Sequence, residues 1–312
     1  MNGKLVTLIG GGGFLGRYVA QELLAAGARV RIAQRDPRQA LFLKPQGGLG
    51  QTQFAAVDVT RPESVARAIQ GSDAVVNLVG ILSGDFDAVQ VRGARHIAEA
   101  AAAASVDTLV HLSALGADAE SPSTYGRTKA EGEAAVRAAF PGATILRPSL
   151  MFGREDQFVN RFAGMIASAP VVPVLRAGVK FQPLYVVDAA QAVVRALAEP
   201  AGFAGKVFEL GGPDVITMGG LIRWIAGAIG RDPTIIELPD FAGAAIATFG
   251  FLPLAPITRD QWLMLLRDNV VTAGGSGLAA FGIEPTPLAA VAPGWLVRYR
   301  RQGRFGVRAE AA

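Results

Sequence analysis

The sequence predicts an α/β fold: a doubly wound, mostly parallel sheet with helices on both faces, followed by a smaller C-terminal lobe. Three observations predict it. Short apolar segments, typical of buried strands, alternate with helix-like segments through the first half of the chain. A glycine-rich turn joins the first strand to the first helix. The 312 residues are 51% hydrophobic and 18% charged, which is enough apolar material for a large core.

The expected elements follow one another in regular order. Strands are predicted over residues 5–9, 30–33, 52–57, 74–78, 108–112 and 144–147. Helices are predicted to begin near Phe14, Pro62, Val89 and Ser123. Residues 184–188 lead into an alanine-rich helix that ends at about Glu199, and residues 206–210 resemble one more strand. We expect both segments to rejoin the first sheet.

Composition excludes several classes of site. The chain has no cysteine, so disulfides, thiolate metal sites and cysteine nucleophiles are excluded, and its two histidines cannot build a histidine metal cage. The N-terminus does not resemble a secretory signal peptide, which predicts a cytoplasmic protein. The net charge of +4 comes from the C-terminal tail, so we expect no nucleic-acid partner.

The turn after the first strand carries the pattern GxxGxxG at Gly10, Gly13 and Gly16, with Phe14 and Leu15 between the last two glycines. A diphosphate approaches backbone N–H groups at a helix N-terminus, where a Cβ atom would collide with it. The order strand, glycine turn, helix therefore predicts a Rossmann-type dinucleotide site. We expect residues 1–150 to form this NAD(P)-binding domain, completed by residues 184–211. Residues 151–183 and 212–312 are expected to form the smaller lobe with its basic tail.

Gln34, Arg35 and Asp36 follow the second strand, where NAD-preferring enzymes usually place an acid that binds the ribose 2′-hydroxyl. Gln34 is neutral and Arg35 can pair with a 2′-phosphate, which favours NADPH over NADH. The alternative is that Arg35 is a solvated surface residue and Asp36 takes the acidic role.

Further candidate contacts follow the third and fourth strands. Asp58 and Val59 are placed to meet the adenine, while the stretch that begins at Asn77 and continues with Leu78, Val79 and Gly80 is placed to line a ribose. The structural alternatives carry equal weight: Asp58 as the cap of the next helix and Gly80 as a turn.

Tyr125 and Lys129 lie four residues apart on a predicted helix and therefore share one face. The ammonium group can bind the nicotinamide ribose and lower the pKa of the phenol, so the pair is a candidate catalytic or cofactor-binding site.

Together these motifs resemble the extended or atypical branch of the short-chain dehydrogenase/reductase superfamily, over about the first 210 residues. Leu146-Arg147-Pro148 at the sixth strand also matches. The resemblance implies that Ser113, Tyr125, Lys129 and Pro148 complete the cofactor site. Residues 152–160, 258–270 and 283–300 resemble one family within it, the NAD(P)H-binding accessory subunit of respiratory complex I and its bacterial relatives.

One departure from the superfamily pattern bears on activity. The superfamily pairs its Tyr with a Ser or Thr one or two residues beyond the first Ser after strand five; here Ser113 is followed by Ala114 and Leu115. Losing such a hydrogen bond costs about 3–4 kcal/mol of transition-state stabilisation. Either Ser113 substitutes for it, or the site holds its cofactor without turnover, as the resemblance to the accessory subunit favours.

Several other residues have structural interpretations. His111 is expected to be a satisfied core residue, and Glu131 and Glu133 to form a solvated helix face. Arg154, Glu155 and Asp156 form either an ion pair that braces the two lobes or a functional surface.

Two C-terminal segments are candidates for contacts with other molecules. Residues 241–258 carry no charge and are expected to be a buried or membrane-surface element, because prolines make them too short to span a bilayer. The tail over residues 294–308 alternates aromatic and aliphatic residues with five arginines. It suits an anionic membrane surface, an acidic partner protein, or simple solvation.

Two functional hypotheses follow. The first is an NADPH-binding accessory protein of the complex I type, with complex I subunits or another membrane-associated partner, peripheral on the inner face of the inner membrane. The second is an NADPH-dependent reductase or epimerase-like enzyme acting on a hydrophobic or quinone-like substrate, with Tyr125 as proton donor.

Overall fold

In the computed structural model, which describes residues 1–250, 257–274, 277–301 and 303, the chain forms two compact units. Each unit is assembled from three stretches of sequence. The first unit comprises Met1–Pro148, Val186–Leu210 and Thr272–Glu284. The second comprises Ser149–Tyr185, Gly211–Val271 and Pro285–Ala312.

The first unit is built on a seven-stranded parallel sheet, which confirms the predicted fold class. Its strands, with labels that run along the whole chain, are β1 (Leu5–Ile9), β2 (Arg29–Gln34), β3 (Thr52–Ala56), β4 (Ala74–Asn77), β5 (Thr108–Leu112), β6 (Thr144–Pro148) and β11 (Val207–Leu210). Their spatial order is β11-β6-β5-β4-β1-β2-β3. The central strands β1, β4 and β5 are buried along their whole length, as expected for a sheet covered on both faces.

Helices follow the strands and cover both faces of this sheet. They are α1 (Phe14–Ala25), α2 (Pro62–Ile69), α3 (Gly93–Ala103), α4 (Thr124–Ala139), α6 (Val186–Ala198) and α7 (Pro200–Phe203). Helix α1 packs against α6, while α2, α3 and α4 pack in sequence on one another. The unit also contains a 3₁₀ segment at Pro37–Gln46, which is wound more tightly than an α-helix, and a π-helical turn at Asp87–Arg92, which is wound more widely.

The sheet reverses its winding direction between β1 and β4. Chain order runs outward from β1 to β2 and β3 on one side, and from β4 to β5 and β6 on the other. Ligands of open α/β sheets bind beyond the carboxyl ends of the strands at such a switch point. The residues that follow β1, β2 and β4 therefore meet at one edge of the sheet.

The second unit contains three two-stranded sheets and a helical core. Its strands are β7 (Met151–Phe152), β8 (Val171–Leu175), β9 (Lys180–Phe181), β10 (Leu184–Tyr185), β12 (Ile216–Thr217) and β13 (Thr234–Leu238). Its helices are α5 (Val159–Ser168), α8 (Met218–Ala228), α9 (Asp240–Thr248), α10 (Arg259–Met264), α11 (Leu288–Val291) and α12 (Pro293–Leu296), followed by a 3₁₀ turn at Val297–Tyr299. Apolar residues of α5, β8 and α8 form its main buried cluster.

One strand prediction is wrong. Leu184 and Tyr185 do not join the large sheet; they pair with Met151 and Phe152 in a separate two-stranded sheet. Only the later segment, β11, joins the large sheet, beside β6. A two-residue strand carries no pattern that selects its partner, so its apolar character alone could not place it.

The return of Thr272–Glu284 to the first unit has no counterpart among the sequence predictions. It contains a 3₁₀ turn, Leu278–Phe281, in which the Phe281 ring stacks on Phe203 with centroids 4.5 Å apart and planes at 1°. Phe208 meets the same ring edge-on at 4.8 Å. This aromatic cluster anchors the late segment beside β11.

Candidate functional site

The glycine turn leaves the start of helix α1 open to an anion. Gly10 has φ +87°, in the left-handed region that glycine adopts without strain. Gly13 is the N-cap of α1, so no side chain caps the helix, and its first turn carries no acidic residue. The amides of the first turn have no acceptor within the helix and form its positive end. The backbone there suits a diphosphate.

Close packing at this turn demands glycine at specific positions. A Cβ atom on Gly16 would lie 2.5 Å from the carbonyl oxygen of Gly11, and one on Gly12 would collide with the side-chain amide of Gln34. In the first turn of α1, Leu15 is buried, and the half-buried Phe14 ring meets Tyr18 edge-on at 6.2 Å. Glycine at these positions therefore fixes how closely the helix approaches the sheet.

Beyond β2, the acid of the Gln34-Arg35-Asp36 turn is engaged locally. Asp36 is the N-cap of the 3₁₀ segment: its Oδ1 accepts a hydrogen bond from Arg38 N at 3.1 Å, and its Oδ2 accepts one from Gln39 Nε2 at 3.4 Å. Gln34 Nε2 donates to the Asp36 carbonyl at 2.7 Å. Arg35 is exposed. The Asp36 carboxylate thus accepts hydrogen bonds from its own chain, while the guanidinium of Arg35 is exposed at the end of β2.

Asp58, after β3, sits in a local turn. Its carboxylate accepts hydrogen bonds from Thr60 Oγ1 at 2.7 Å and Thr60 N at 3.0 Å, and Arg61 Nε lies 3.7 Å from it. The hydrogen bonds from Thr60, followed by the charges of Arg61 and Arg35, lower the pKa of Asp58. Val59 is nearly buried, and its carbonyl lies 2.8 Å from His96 Nδ1.

The segment after β4 is held by a buried amide. Asn77 Oδ1 accepts a hydrogen bond from Val79 N at 3.1 Å, and Asn77 Nδ2 lies 3.0 Å from His111 Nδ1 on β5. Leu78 and Val79 are half-buried, whereas Gly80 is exposed. Asn77 belongs to the stretch predicted to line a ribose, but the sequence did not predict that its side chain would bond to both Val79 and His111.

His111 is only partly satisfied, which corrects the sequence expectation. Its Nδ1 bonds Asn77, but within the described part of the chain its buried Nε2 has no hydrogen-bond partner. Burial, and secondarily the charge of Lys129, lower the pKa of His111 to about 3. The imidazole is therefore neutral at physiological pH.

Helix α4 presents Tyr125 and Lys129 on one face, and Ser123 caps its first turn by accepting from Gly126 N at 3.3 Å. The Lys129 ammonium is buried; it donates to the Leu112 carbonyl at 3.1 Å and the Val79 carbonyl at 3.4 Å. Burial lowers the pKa of Lys129 to about 8, against an opposing effect of Glu133.

The same face of α4 is directed toward the segment after β4. The Lys129 ammonium lies 5.9 Å from the centroid of the Tyr125 ring, and the half-buried Tyr125 meets Phe86 edge-on at 6.4 Å. A Cβ atom on Gly80 would lie 3.4 Å from Lys129 Nζ. The structure thus brings Lys129, Tyr125, Val79 and Gly80 together.

Ser113 follows β5 and carries a buried hydroxyl for which, among the residues described, there is no hydrogen-bond partner. Its N–H donates to the Leu146 carbonyl at 2.8 Å, and Leu115 N donates to the carbonyl of the buried Pro148 at 2.9 Å. An unsatisfied buried hydroxyl beside the strand ends fits a ligand that brings a polar group there. Ala114 and Leu115 supply no second hydroxyl.

Glu133 corrects a second expectation. Glu131 is exposed, but Glu133 is 1% exposed and pairs with Arg147 of β6 through two hydrogen bonds of 2.8 Å each. Arg137 also reaches Glu133, at 3.2 Å. The two glutamates point to nearly opposite sides of α4, and β6 places Arg147 on the side of Glu133.

In the second unit, Asp156 is buried and begins α5 by accepting hydrogen bonds from Val159 N at 2.6 Å and Gly153 N at 3.2 Å. Burial raises the pKa of Asp156, against the effect of these hydrogen bonds. Arg154 and Glu155 are exposed. Asp156 therefore organises a helix start and forms no ion pair among the described residues.

Two tail arginines are engaged inside the second unit. Arg298 Nη2 donates to Asn160 Oδ1 at 2.8 Å, and Arg300 donates to the Ala228 carbonyl at the end of α8 at 3.0 Å and 3.2 Å. Arg304, Phe305 and Arg308 lie outside the described residues, as do residues 251–256 of the uncharged segment.

Two features are absent from the described ranges. No helix within them has the length and apolar character needed to cross a bilayer. The same residues contain no group of three or more side chains placed to hold a metal ion.

Comparisons with known proteins agree with this geometry. The profile of the NAD dependent epimerase/dehydratase family matches residues 6–211. NADH dehydrogenase [ubiquinone] 1 alpha subcomplex subunit 9 of Mus musculus, a mitochondrial protein, is 37% identical over 92% of this chain and 78% of its own length. Ceramide reductase of Caulobacter vibrioides is 30% identical over 92% of this chain and 87% of its own.

A solved structure shares the fold. NADPH-dependent quinone oxidoreductase of Escherichia coli, complexed with NADPH, superposes with a TM-score of 0.76 at 23% identity, covering 93% of this chain and 99% of that one. The resemblance drawn from the sequence motifs is confirmed. The chain belongs to the NAD dependent epimerase/dehydratase family, within the short-chain dehydrogenase/reductase superfamily.

Proposed function

We propose that this protein is an NADPH-binding subunit of a membrane-bound respiratory NADH dehydrogenase, in which the nucleotide has a mainly structural role. The observation that carries the proposal is that two features occur together at the carboxyl ends of the strands. Helix α1 begins without any capping side chain, which suits a diphosphate, while the chain after Ser113 continues with Ala114 and Leu115. The site is thus built to bind, but lacks the usual second hydroxyl for stabilising a reacting oxygen. Its similarity to the Mus musculus subunit over 92% of the chain supports the same function.

The nucleotide would be held by the residues that the sequence singled out. The diphosphate would lie beside Gly10 and Gly13 against the amides of Phe14 and Leu15, while Gly16 lets α1 approach the backbone of Gly11. Asp58 and Val59 would meet the adenine, and Leu78, Val79 and Gly80 the ribose. Ser113 and Pro148 would line the nicotinamide end with Tyr125 and Lys129.

The preference for NADPH over NADH rests on the turn after β2. Asp36 already accepts two hydrogen bonds, so its carboxylate is less available to a ribose 2′-hydroxyl. Gln34 is neutral, and exposed Arg35 can pair with a 2′-phosphate.

The partners we propose are the other subunits of the respiratory complex. The protein would lie peripherally on the inner, cytoplasmic face of the inner membrane. An anionic lipid surface would be met by the 294–308 tail through the arginines other than Arg298 and Arg300, since those two are engaged within the second unit.

A second candidate is an NADPH-dependent reductase or epimerase-like enzyme acting on a hydrophobic or quinone-like substrate. The juxtaposition of Tyr125 with the buried Lys129 favours it, because an ammonium 5.9 Å from the ring stabilises a phenolate. Similarity to a ceramide reductase also supports it. In this function Tyr125 would donate a proton to the substrate oxygen, and NADPH, when bound, would supply the hydride.

One experiment separates the two functions. Purified protein is titrated with NADPH and then with a panel of quinone and carbonyl acceptors, and nicotinamide absorbance is followed. For the subunit we expect stoichiometric binding, a stability gain of about 2.7 kcal/mol at a hundredfold excess over Kd, and no oxidation of NADPH. Steady oxidation that Tyr125→Phe abolishes, and the control Tyr299→Phe does not, would establish the enzyme instead.

The partner is tested separately. Tagged protein isolated from membranes of its own organism should carry subunits of the NADH dehydrogenase, identified by mass spectrometry. Recovery as an isolated chain from those membranes contradicts the proposal.

A further inference from the structure

Helix α4 contains a buried carboxylate that neither proposed function uses. Glu133 is 1% exposed, one helical turn beyond Lys129, and therefore on the same face of α4. A buried carboxylate is costly unless cations and hydrogen bonds compensate its charge. The residues around Glu133 must therefore compensate its charge.

Arg147 of β6 supplies most of that compensation. Its Nε and Nη2 each donate to one carboxylate oxygen of Glu133 at 2.8 Å, in the two-pronged geometry that gives the strongest pairs. The hydrogen bonds that Arg147 donates to Glu133, followed by the charges of Glu133 and Glu209, raise the pKa of Arg147, against the effect of burial. This pair joins α4 to the large sheet.

The network continues to the end of the sheet. Arg147 Nη1 lies 3.8 Å from Glu209 Oε1 on β11, and Glu209 Oε2 accepts a hydrogen bond from Thr272 N at 2.8 Å. Four segments of the first unit are thus linked. Side chains of alternating charge join α4, β6 and β11, and a backbone N–H joins the returning segment to β11. The side of α4 that carries Lys129 is bonded to β6 directly, and to β11 and the returning segment only through Arg147 and Glu209.

Lys129 itself has neutral hydrogen-bond partners. Its ammonium donates to the carbonyl oxygens of Leu112 and Val79. The titratable groups that face it are His111 from β5, and Tyr125 and Glu133 from its own helix. Of these, His111 is neutral at physiological pH and a tyrosine ordinarily is, so Glu133 is the anionic member of the set.

We propose that Glu133, fixed by Arg147, is a positioning residue that acts through Lys129: its buried carboxylate, one helical turn away on the same face of α4, keeps charged the ammonium that would meet the ribose of the bound nucleotide. The part concerning the ribose rests on the proposed function; the electrostatic part concerns the protein alone. Arg147 orients the carboxylate and offsets part of its charge, and Glu209 in turn offsets part of the charge of Arg147.

The protonation of Lys129 can be measured without any nucleotide. The chain has five lysines, Lys4, Lys44, Lys129, Lys180 and Lys206, so a spectrum of the whole protein labelled with ¹³Cε-lysine contains five signals. Lys129→Arg assigns the one of interest. Its titration midpoint is then compared between the wild type, Glu133→Gln and the control Glu131→Gln, which changes an exposed carboxylate on the same helix.

The sign of the change distinguishes positioning from mere structural support. If Glu133 compensates Lys129, Glu133→Gln lowers the midpoint below its wild-type value of about 8, by about one pH unit, a tenfold change in proton affinity. If Glu133 only holds α4 in place, its loss exposes Lys129 to water and raises the midpoint toward 10.5. A raised or unchanged midpoint overturns the proposal, as does an equal shift in Glu131→Gln.

A second pair of variants covers the case in which Glu133→Gln does not fold because Arg147 is left unpaired. Arg147→Met and the double variant Glu133→Gln/Arg147→Met differ only in the carboxylate. We expect a lower Lys129 midpoint in the double variant than in Arg147→Met. The same midpoint in both overturns the proposal.

NADPH titrations test the functional part. Above the Lys129 midpoint, Glu133→Gln should bind NADPH about tenfold more weakly than the wild type, and well below that midpoint about equally. In a Lys129→Met background, Glu133→Gln should have no further effect. An equal loss in both backgrounds contradicts action through Lys129. Wild-type protein that binds no NADPH, but shows the expected shift in midpoint, refutes the proposed function and leaves the electrostatic role of Glu133 established.

Discussion

The carboxylate of Asp36 accepts a hydrogen bond from the backbone N–H of Arg38, with 3.1 Å between Oδ1 and N. This contact begins the 3₁₀ segment after β2 and turns the one acid of the strand end toward its own backbone. The exposed Arg35 is therefore the charged side chain at this position whose geometry leaves it available to a nucleotide phosphate.

The proposed preference for NADPH predicts that replacing Arg35 with Asp weakens NADPH binding. Loss of a charge-assisted contact to the 2′-phosphate costs about 2 kcal/mol, so NADPH affinity should fall roughly thirtyfold while NADH affinity is unchanged or improved. Calorimetric titration with both nucleotides measures it. Arg67→Asp makes the same charge change at an exposed position on α2 and should leave both affinities unaltered. Unchanged NADPH binding in Arg35→Asp refutes the assignment.

Gly16→Ala should destabilise the protein even without nucleotide. The new Cβ would lie 2.5 Å from the Gly11 carbonyl oxygen, so α1 must move away from the glycine turn. We expect a loss of about 1–3 kcal/mol, measured by urea denaturation. The comparison is Gly227→Ala, inside α8, where a Cβ meets no atom within 4 Å and stability should rise by about 0.5–1 kcal/mol. Wild-type stability in Gly16→Ala contradicts the packing argument.

Because Lys129 is buried, we expect the free energy of unfolding to rise with pH in the alkaline range. Its folded pKa is about 8 against an ordinary 10.5, so between these pH values the unfolded chain binds a proton that the folded chain has released. The free energy of unfolding should therefore increase with pH across that interval, by up to about 3 kcal/mol, and be unaffected by this group below pH 8. Denaturation at a series of pH values should show this rise in the wild type and in the control Lys206→Met. A similar rise in Lys129→Met assigns it to another group.

His111 predicts a change of the same sign in acid, a free energy of unfolding that rises with pH. Burial, and secondarily the charge of Lys129, lower its folded pKa to about 3 from 6.5. Between these pH values the unfolded chain therefore binds a proton at His111 that the folded chain does not bind. Stability contributed by this group is complete above pH 6.5 and is lost as pH falls toward 3. The variant His111→Gln should lose less stability over this range than the wild type, by on the order of 4 kcal/mol at its acid end. Equal acid sensitivity of the two proteins would exclude this role.

The sequence predicts most of what is local and periodic. Strand β1, the glycine turn and α1 follow one another within 25 residues, and their spacing alone locates them correctly. The Tyr125 and Lys129 pair is equally local, because a helix turn relates the two residues.

What the sequence does not predict depends on distant pairing. Glu131 and Glu133 have the same chemistry but point to nearly opposite sides of α4, and Glu133 meets Arg147 because β6 brings that guanidinium to its side. Likewise, no periodic pattern in the sequence predicts that Phe281 stacks on Phe203. Contacts of this kind are decided by tertiary packing, which overrides local preference.

The aromatic stack of Phe203 and Phe281 has a consequence for how the protein is made. The seven-stranded unit receives its last segment only at Thr272–Glu284, so a ribosome must have translated most of the message before that unit can close. A nascent chain paused near Leu210 presents Phe203 and Phe208 without their later neighbour, as exposed apolar surface that chaperones recognise. Premature termination anywhere before codon 281 should therefore yield insoluble polypeptide rather than a smaller working domain.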